Sequence, residues 1–242
     1  MGFRMPETKP INEKTEVCRD WQLAVDVDMV LRGQGADPAK VRLRQPRLVE
    51  LAERAITLGT KWMQPQVAYR ALDIREVQSG KVILENGAEL KGYGISRRLK
   101  GLESMIAAIA TLGPTFEREF LAAAKEDLAL GLALDGFGTA AIGALTSAAG
   151  KYFAQNFAAN HSLTTGPLFP GMRGWDLAAA QTALFSLVEA SSIGVSLNSS
   201  FVMQPSKSVS MVIGIGQKAQ CTELPCNECE SAETCRHKPS KV

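Results

Sequence analysis

Histidine is almost absent from this chain: two residues in 242, His161 and His237. A hydrolytic triad or a histidine-ligated catalytic metal would have to be built from nearly nothing, which sets those chemistries aside. Strong charge of either sign is missing too. The formal net charge is +2, from 27 Lys and Arg against 25 Asp and Glu, interspersed along the chain, so nothing points to an electrostatic nucleic-acid surface. The opening stretch, MGFRMPETKP, has no hydrophobic run and hence no signal peptide, and Pro6 stands where a myristoylation signal wants Ser or Thr. The expectation is a cytoplasmic protein. One stretch, Leu128 to Gly150, is apolar enough to suggest a membrane helix, but it contains Asp135 and many Gly, Ala, Ser and Thr residues. A spanning helix wants about 20 mostly apolar residues and rarely tolerates a central Asp, so a tightly packed buried helix is predicted in place of membrane insertion.

Familiar catalytic motifs are lacking as well. There is no P-loop and no nucleophile elbow. Gly214-Ile215-Gly216 begins like a dinucleotide fingerprint, but it lacks the third glycine, and Pro- and Cys-rich sequence follows it in place of a helix. So little acid–base equipment favours electron transfer or binding over hydrolysis.

What is present is concentrated at the end. Four of the five cysteines, Cys221, Cys226, Cys229 and Cys235, are spaced C-x4-C-x2-C-x5-C among Glu223, Glu228, Glu230 and Glu233. Four thiolates on so short a segment can wrap one inorganic centre, and C-x4-C-x2-C is a ferredoxin spacing, although there the fourth cysteine lies much further along. A structural zinc site usually separates two ligand pairs by a longer stretch, and the chain between Cys226 and Cys235 is too short for a second knuckle. The reading is a [4Fe–4S] cluster, with [2Fe–2S] and zinc as the alternatives. A disulfide pair does not suit a chain without signs of export. Cys18, far from the others, reads as a lone thiol.

Along the chain, residues 1–20 are polar and form a flexible or draped arm, 21–216 form one α+β domain, and 217–242 form the metal-binding tail. Asp26 to Arg32 makes a short helix, and Pro46 opens a longer one with Leu48, Leu51, Ala52, Ala55, Ile56 and Trp62 on one stripe. After Pro65 the period changes to two. Lys81 to Leu84 and Ala88 to Leu90 flank Asn86-Gly87, a strong hairpin signal. Ile95, Leu99, Leu102, Met105, Ile106, Ile109 and Leu112 predict another helix, closed by Gly113-Pro114, and Pro114 opens the next. A small-residue helix is expected over about 135–158, a helix capped by Asp176 follows, and Val209 to Ile215 reads as a final buried strand. Two connecting segments look functional. In Leu168 to Trp175 a Pro-Gly turn carries Phe169, Met172 and Trp175, either as a ligand-facing surface or as core filling. In Gln204 to Ser210 alternating hydroxyls either line a cleft or belong to a solvated edge strand.

Several of these pieces occur in a telling order. Val30 to Gly35 and Thr111-Leu112-Gly113 come first. Asp135-Gly136-Phe137-Gly138-Thr139-Ala140-Ala141 follows, then Pro170-Gly171-Met172, Ile193 to Met203, and Pro205 to Ser210. The series resembles the reactivation domain of cobalamin-dependent methionine synthase, and more closely its short stand-alone relatives, over about residues 26 to 216. The resemblance implies an α+β fold in which a twisted antiparallel sheet is packed by helices. It implies a site for cofactor and corrin at Asp135, Phe169, Pro170, Gly171, Met172, Arg173 and Gly174. It also implies a role as reductive activator, an oxidoreductase-type activity in which cob(II)alamin of a corrinoid protein or cobalamin-dependent methyltransferase becomes cob(I)alamin and is remethylated from S-adenosylmethionine. The corrinoid would come with the partner. The tail would supply the low-potential electron, drawn from a ferredoxin or flavodoxin, because iron–sulfur potentials reach about −700 mV and the nearby glutamates lower them. Two departures count against S-adenosylmethionine. Pro167 stands where the synthase has an arginine, with Met172 in place of its tyrosine, and Gly143 stands where it has a glutamate. The contrasting expectation is a non-enzymatic module that binds a corrinoid or nucleotide and carries a structural zinc tail.

Overall fold

The computed structural model describes residues 14–158 and 163–219. Its centre is three long antiparallel strands: β2 (Gln66–Gln78), β5 (Ser104–Thr111) and β9 (Ser208–Gly216). β5 lies between the other two, pairing Gln66 to Asp73 of β2 along one edge and Ser208 to Ile215 of β9 along the other. The outer edge of β2 is shared. β1 (Glu16–Cys18) pairs with Val67 to Tyr69, and β3 (Lys81–Leu84) pairs with Ile74 to Gln78 across a register shift between Ile74 and Glu76. β4 (Glu89–Lys91) extends β3 through the Asn86-Gly87 turn, and β6 (Leu163–Thr164) covers the last residues of β9. A separate two-stranded ribbon joins β7 (Ser196–Leu197) to β8 (Met203–Gln204).

Both faces of the sheet are buried, and the pleat sorts residues between two cores. Val67, Tyr69, Ile106, Ala108, Met211 and Ile213 face a helical layer of α1 (Val27–Gly33), α2 (Pro38–Arg44), α3 (Pro46–Trp62), α5 (Pro114–Glu126) and α6 (Leu128–Phe157). Ala68, Leu72, Met105, Ala107, Ile109 and Val212 face a second core closed by α4 (Tyr93–Leu99), α7 (Leu177–Leu187) and the 3₁₀ turn Ala190–Ile193.

Two-sided burial accounts for the main error of the sequence reading. The single helix predicted through Ile95 to Leu112 is α4 followed by β5. All eight residues of β5 are buried, so the strand has no polar face to reveal its two-residue period, and its large apolar residues fall at three- and four-residue steps by coincidence. The small-residue helix begins at Leu128, not Asp135. Asp127 is its N-cap, accepting from the Leu130 N–H at 3.1 Å, and α2 was not foreseen at all. Part of the expected arm is a strand: β1 is pinned by the Tyr69 hydroxyl, which donates to Glu16 at 2.7 Å. Burial, with the neighbouring Tyr152 and Glu16, pushes the Tyr69 pKa up.

α6 is long and apolar enough by length and composition to cross a membrane, and 56% of its most apolar window is buried in the fold. Its small residues let neighbours approach closely. A Cβ on Gly136 would lie 2.7 Å from the carbonyl oxygen of Val30, so α1 and α6 meet backbone to backbone. Asp176 caps α7 as expected, accepting from the Ala179 N–H at 2.9 Å. Asp176→Ala should cost about 1 kcal/mol. A lower urea midpoint at constant m-value checks this.

Candidate functional site

The Leu168 to Trp175 segment leaves the sheet from the Leu168–Val212 bridge, whose two hydrogen bonds are 2.8 and 2.9 Å long. It then folds on itself. The N–H groups of Met172, Gly171 and Trp175 donate to the carbonyls of Phe169, Trp175 and Met172 at 3.2, 3.0 and 2.9 Å. Gly171 and Gly174 have φ of +84° and +75°, a conformation that strains any side chain. The apolar side chains are divided between the two cores. Phe169, half-buried, packs on the helical side, whereas Met172 and Trp175 are buried among α4, α7 and the sheet. The Trp175 indole N–H is buried with no hydrogen-bond partner among the described residues. Pro170, Gly171, Arg173 and Gly174 are left at the surface.

A seam of glycines ties this loop to α4, and the sequence reading missed it. The Gly94 N–H donates to the Gly174 carbonyl at 2.9 Å. A Cβ on Gly94 would fall on the Arg173 carbonyl oxygen, and one on Gly92 would lie 2.7 Å from the Gly174 oxygen and 2.9 Å from the Trp175 ring. The available signal was Gly92-Tyr93-Gly94 directly after a short strand. Tyr93, 70% exposed, stands over Gly80 beside Gly174. At the other end α4 carries Arg97 and Arg98 in its last turn, and the stem of Lys218 crosses Gly101.

The second segment, Gln204 to Ser210, is held from several sides. The Ser206 N–H donates to Glu117 at 2.8 Å, and the Leu112 N–H donates to the Lys207 carbonyl at 3.0 Å. The Ser208 hydroxyl lies 2.8 Å from that of Thr111, and buried Ser210 donates to Gln181 at 2.9 Å. The Ser208 and Ser210 hydroxyls are thus bonded within the fold, whereas Ser206 is exposed. Asp135 projects from α6, about two turns after its start, to Lys207, with Oδ1 2.7 Å from Nζ. It caps nothing. This ion pair sits at the start of β9, about 26 Å of strand from the residues after Gly216, so the fold does not bring Asp135 to the α4 end of the molecule.

Cys221, Cys226, Cys229 and Cys235 lie outside the described residues, as do His161 and His237. Cys18 is a partly buried free thiol. Among the described residues no group of three or more His, Cys, Asp or Glu side chains is placed to hold a metal. An open groove of about 300 Å³ lies elsewhere, between α3, α5 and the start of α6, with Trp62, Leu58 and Leu130 at its floor and Arg54, Glu119 and Asp127 around it.

No protein-family model matches the sequence, and no curated protein does. Among solved structures the chain is similar to the crystal structure of the MetH reactivation domain bound to AdoHcy. The TM-score is 0.56 at 12% sequence identity, covering 92% of this chain and 85% of that one. At that identity the likeness is one of fold, and it is the fold that the ordered motifs imply.

Proposed function

Starting from that reactivation-domain fold, we propose that this chain is a reductive activator of a corrinoid protein. The observation that carries the reading is the fold, shared along nearly the whole chain with a domain that serves a cobalamin enzyme. The cysteine-rich tail supports it. Cys221, Cys226, Cys229 and Cys235 would hold an iron–sulfur cluster, which supplies the low-potential electron that cob(II)alamin needs.

The surroundings of α4 support the reading. Lys218 packs on Gly101 immediately beyond α4, and the other end of α4 rests on Arg173 and Gly174. α4 has seven residues and is about 10 Å long. Loop and tail root therefore adjoin opposite ends of one short helix. The corrin periphery carries amide side chains that accept hydrogen bonds. The exposed Arg173 guanidinium supplies donors, and Tyr93 offers a ring face. The partner is a corrinoid protein or cobalamin-dependent methyltransferase, and the electron donor is a ferredoxin or flavodoxin in the same cytoplasmic compartment.

Metal analysis tests the reading. Protein purified without oxygen should contain about four irons and four sulfides per chain, and Cys226→Ala should lose them. One zinc and no iron would instead leave a binding module.

A further inference from the structure

The structural neighbour holds S-adenosylhomocysteine. We infer that this chain has given up that ligand, and S-adenosylmethionine with it, because Lys207 occupies the carboxylate of Asp135. The cobalt that this chain reduces is then methylated from a donor held elsewhere. The last clause rests on the reductive-activator reading; the first does not.

The amino-acid end of such a ligand is a zwitterion. Holding it takes an anion for the ammonium and a cation for the carboxylate, joined by charge-assisted bonds. At the positions where the resemblance implies the family's glutamate and arginine, Gly143 and Pro167 have nothing to ionise, and at that of its tyrosine the Met172 side chain is turned into a core. Asp135 is the carboxylate of that implied set that remains, and it is already paired. Lys207 Nζ lies 2.7 Å from its Oδ1 and donates to the Thr139 hydroxyl at 3.0 Å. This is no swinging surface lysine. Its side chain is 15% exposed, against 50% for Asp135. Its stem lies along α6 so closely that a Cβ on Gly138 would be 2.9 Å from its Cε. Its backbone is fixed through Leu112, and that of the preceding residue through Glu117. A ligand ammonium approaching Asp135 would meet a like charge a few ångströms away. Displacing Lys207 would strand a partly buried cation without its partner.

The consequence is a division of labour. One electron converts cob(II)alamin to cob(I)alamin, and the activator's own part ends there. The cob(I)alamin electron pair then forms a bond to the carbon of an electrophilic methyl donor, whose leaving group departs with the pair of the broken bond. That donor belongs to the corrinoid protein or its methyltransferase.

Calorimetric titration of the full chain with S-adenosylhomocysteine and S-adenosylmethionine tests the inference. No saturable heat up to about 1 mM is expected, and no rise in Tm at that concentration. Saturable binding with a Kd below about 100 μM would overturn it. A second arm compares Asp135→Asn, Lys207→Met and the double variant. Each single change should lower Tm by about 2–4 °C, and the double should fall no lower than the worse single. Strictly additive losses would show that the two groups do not serve each other. Neither arm involves cobalt. Ligand binding would sink this inference and leave reduction standing, whereas failed reduction without ligand binding would sink the activator reading alone.

Discussion

Alanine at Gly94 should detach the Pro170–Trp175 loop from α4 and cost about 2–4 kcal/mol. The added methyl group would fall on the Arg173 carbonyl oxygen and meet the Gly174 carbonyl carbon at 3.2 Å, and both are backbone atoms that no rotamer change can move. Overpacking of this kind costs about 1–3 kcal/mol, and loss of the Gly94–Gly174 hydrogen bond adds about 1 kcal/mol. The damage should spread to Trp175, whose ring fills the core directly beneath the seam. Its fluorescence should change in the native state, and Tm should fall by about 5–15 °C. If the reductive reading is right, corrinoid reduction should fall more than the folded fraction does, because the seam joins the loop to the helix where the tail begins. A stable Gly94→Ala protein with unaltered fluorescence would show that the seam is not tight.

Phe137→Ala should be costlier, at about 3–5 kcal/mol. The ring is fully buried and packs against Gly59 of α3, where a Cβ would lie 2.9 Å from its Cγ. It also lies 5.8 Å from Phe116 of α5, which stacks on Phe120 at 6.2 Å. One side chain thus keys α6 to two other helices, and the small residues around it cannot close a ring-sized cavity. Domains of this size are stable by only about 5–15 kcal/mol, so the variant should be close to unfolding at physiological temperature. The check is a urea midpoint that drops sharply at constant m-value. Phe137→Leu, which keeps most of the volume, should lose less than half as much.

These two positions also mark the boundary of what the sequence makes legible. Local chemistry could be read directly. Asp176 caps a helix, Pro46 and Pro114 open others, and Asn86-Gly87 turns a hairpin, each through interactions within a few residues. Burial from both sides hides the two-residue period: β5 reads as a helix, whereas β9, buried on both faces as well, is legible as a strand from its short Val and Ile run. The site followed the same rule. The importance of the Pro170–Gly174 turn could be suspected from Pro-Gly, but the sorting of Phe169 to one core and of Met172 and Trp175 to the other is decided by which elements flank the loop in space. The Gly92–Gly94 seam depends on a loop some 80 residues later in the chain. Lys207 was visible only as one polar residue in a serine-rich run, because its partner lies on a helix formed much earlier in the sequence. The four-thiolate tail was the plainest signal of all, and its ligand set remains a proposal drawn from residue type and spacing.

The central claim is reduction of a protein-bound corrinoid, and one experiment addresses it directly. The full chain is reduced without oxygen, freed of excess reductant, and mixed with a corrinoid protein in the cob(II)alamin state, while the paramagnetic resonance signal of cob(II)alamin is followed. The account predicts that the signal disappears, with about one cob(I)alamin formed per chain, and that Cys226→Ala leaves it intact. Persistence of the cob(II)alamin signal in the presence of the reduced, iron-loaded wild-type chain would contradict the account.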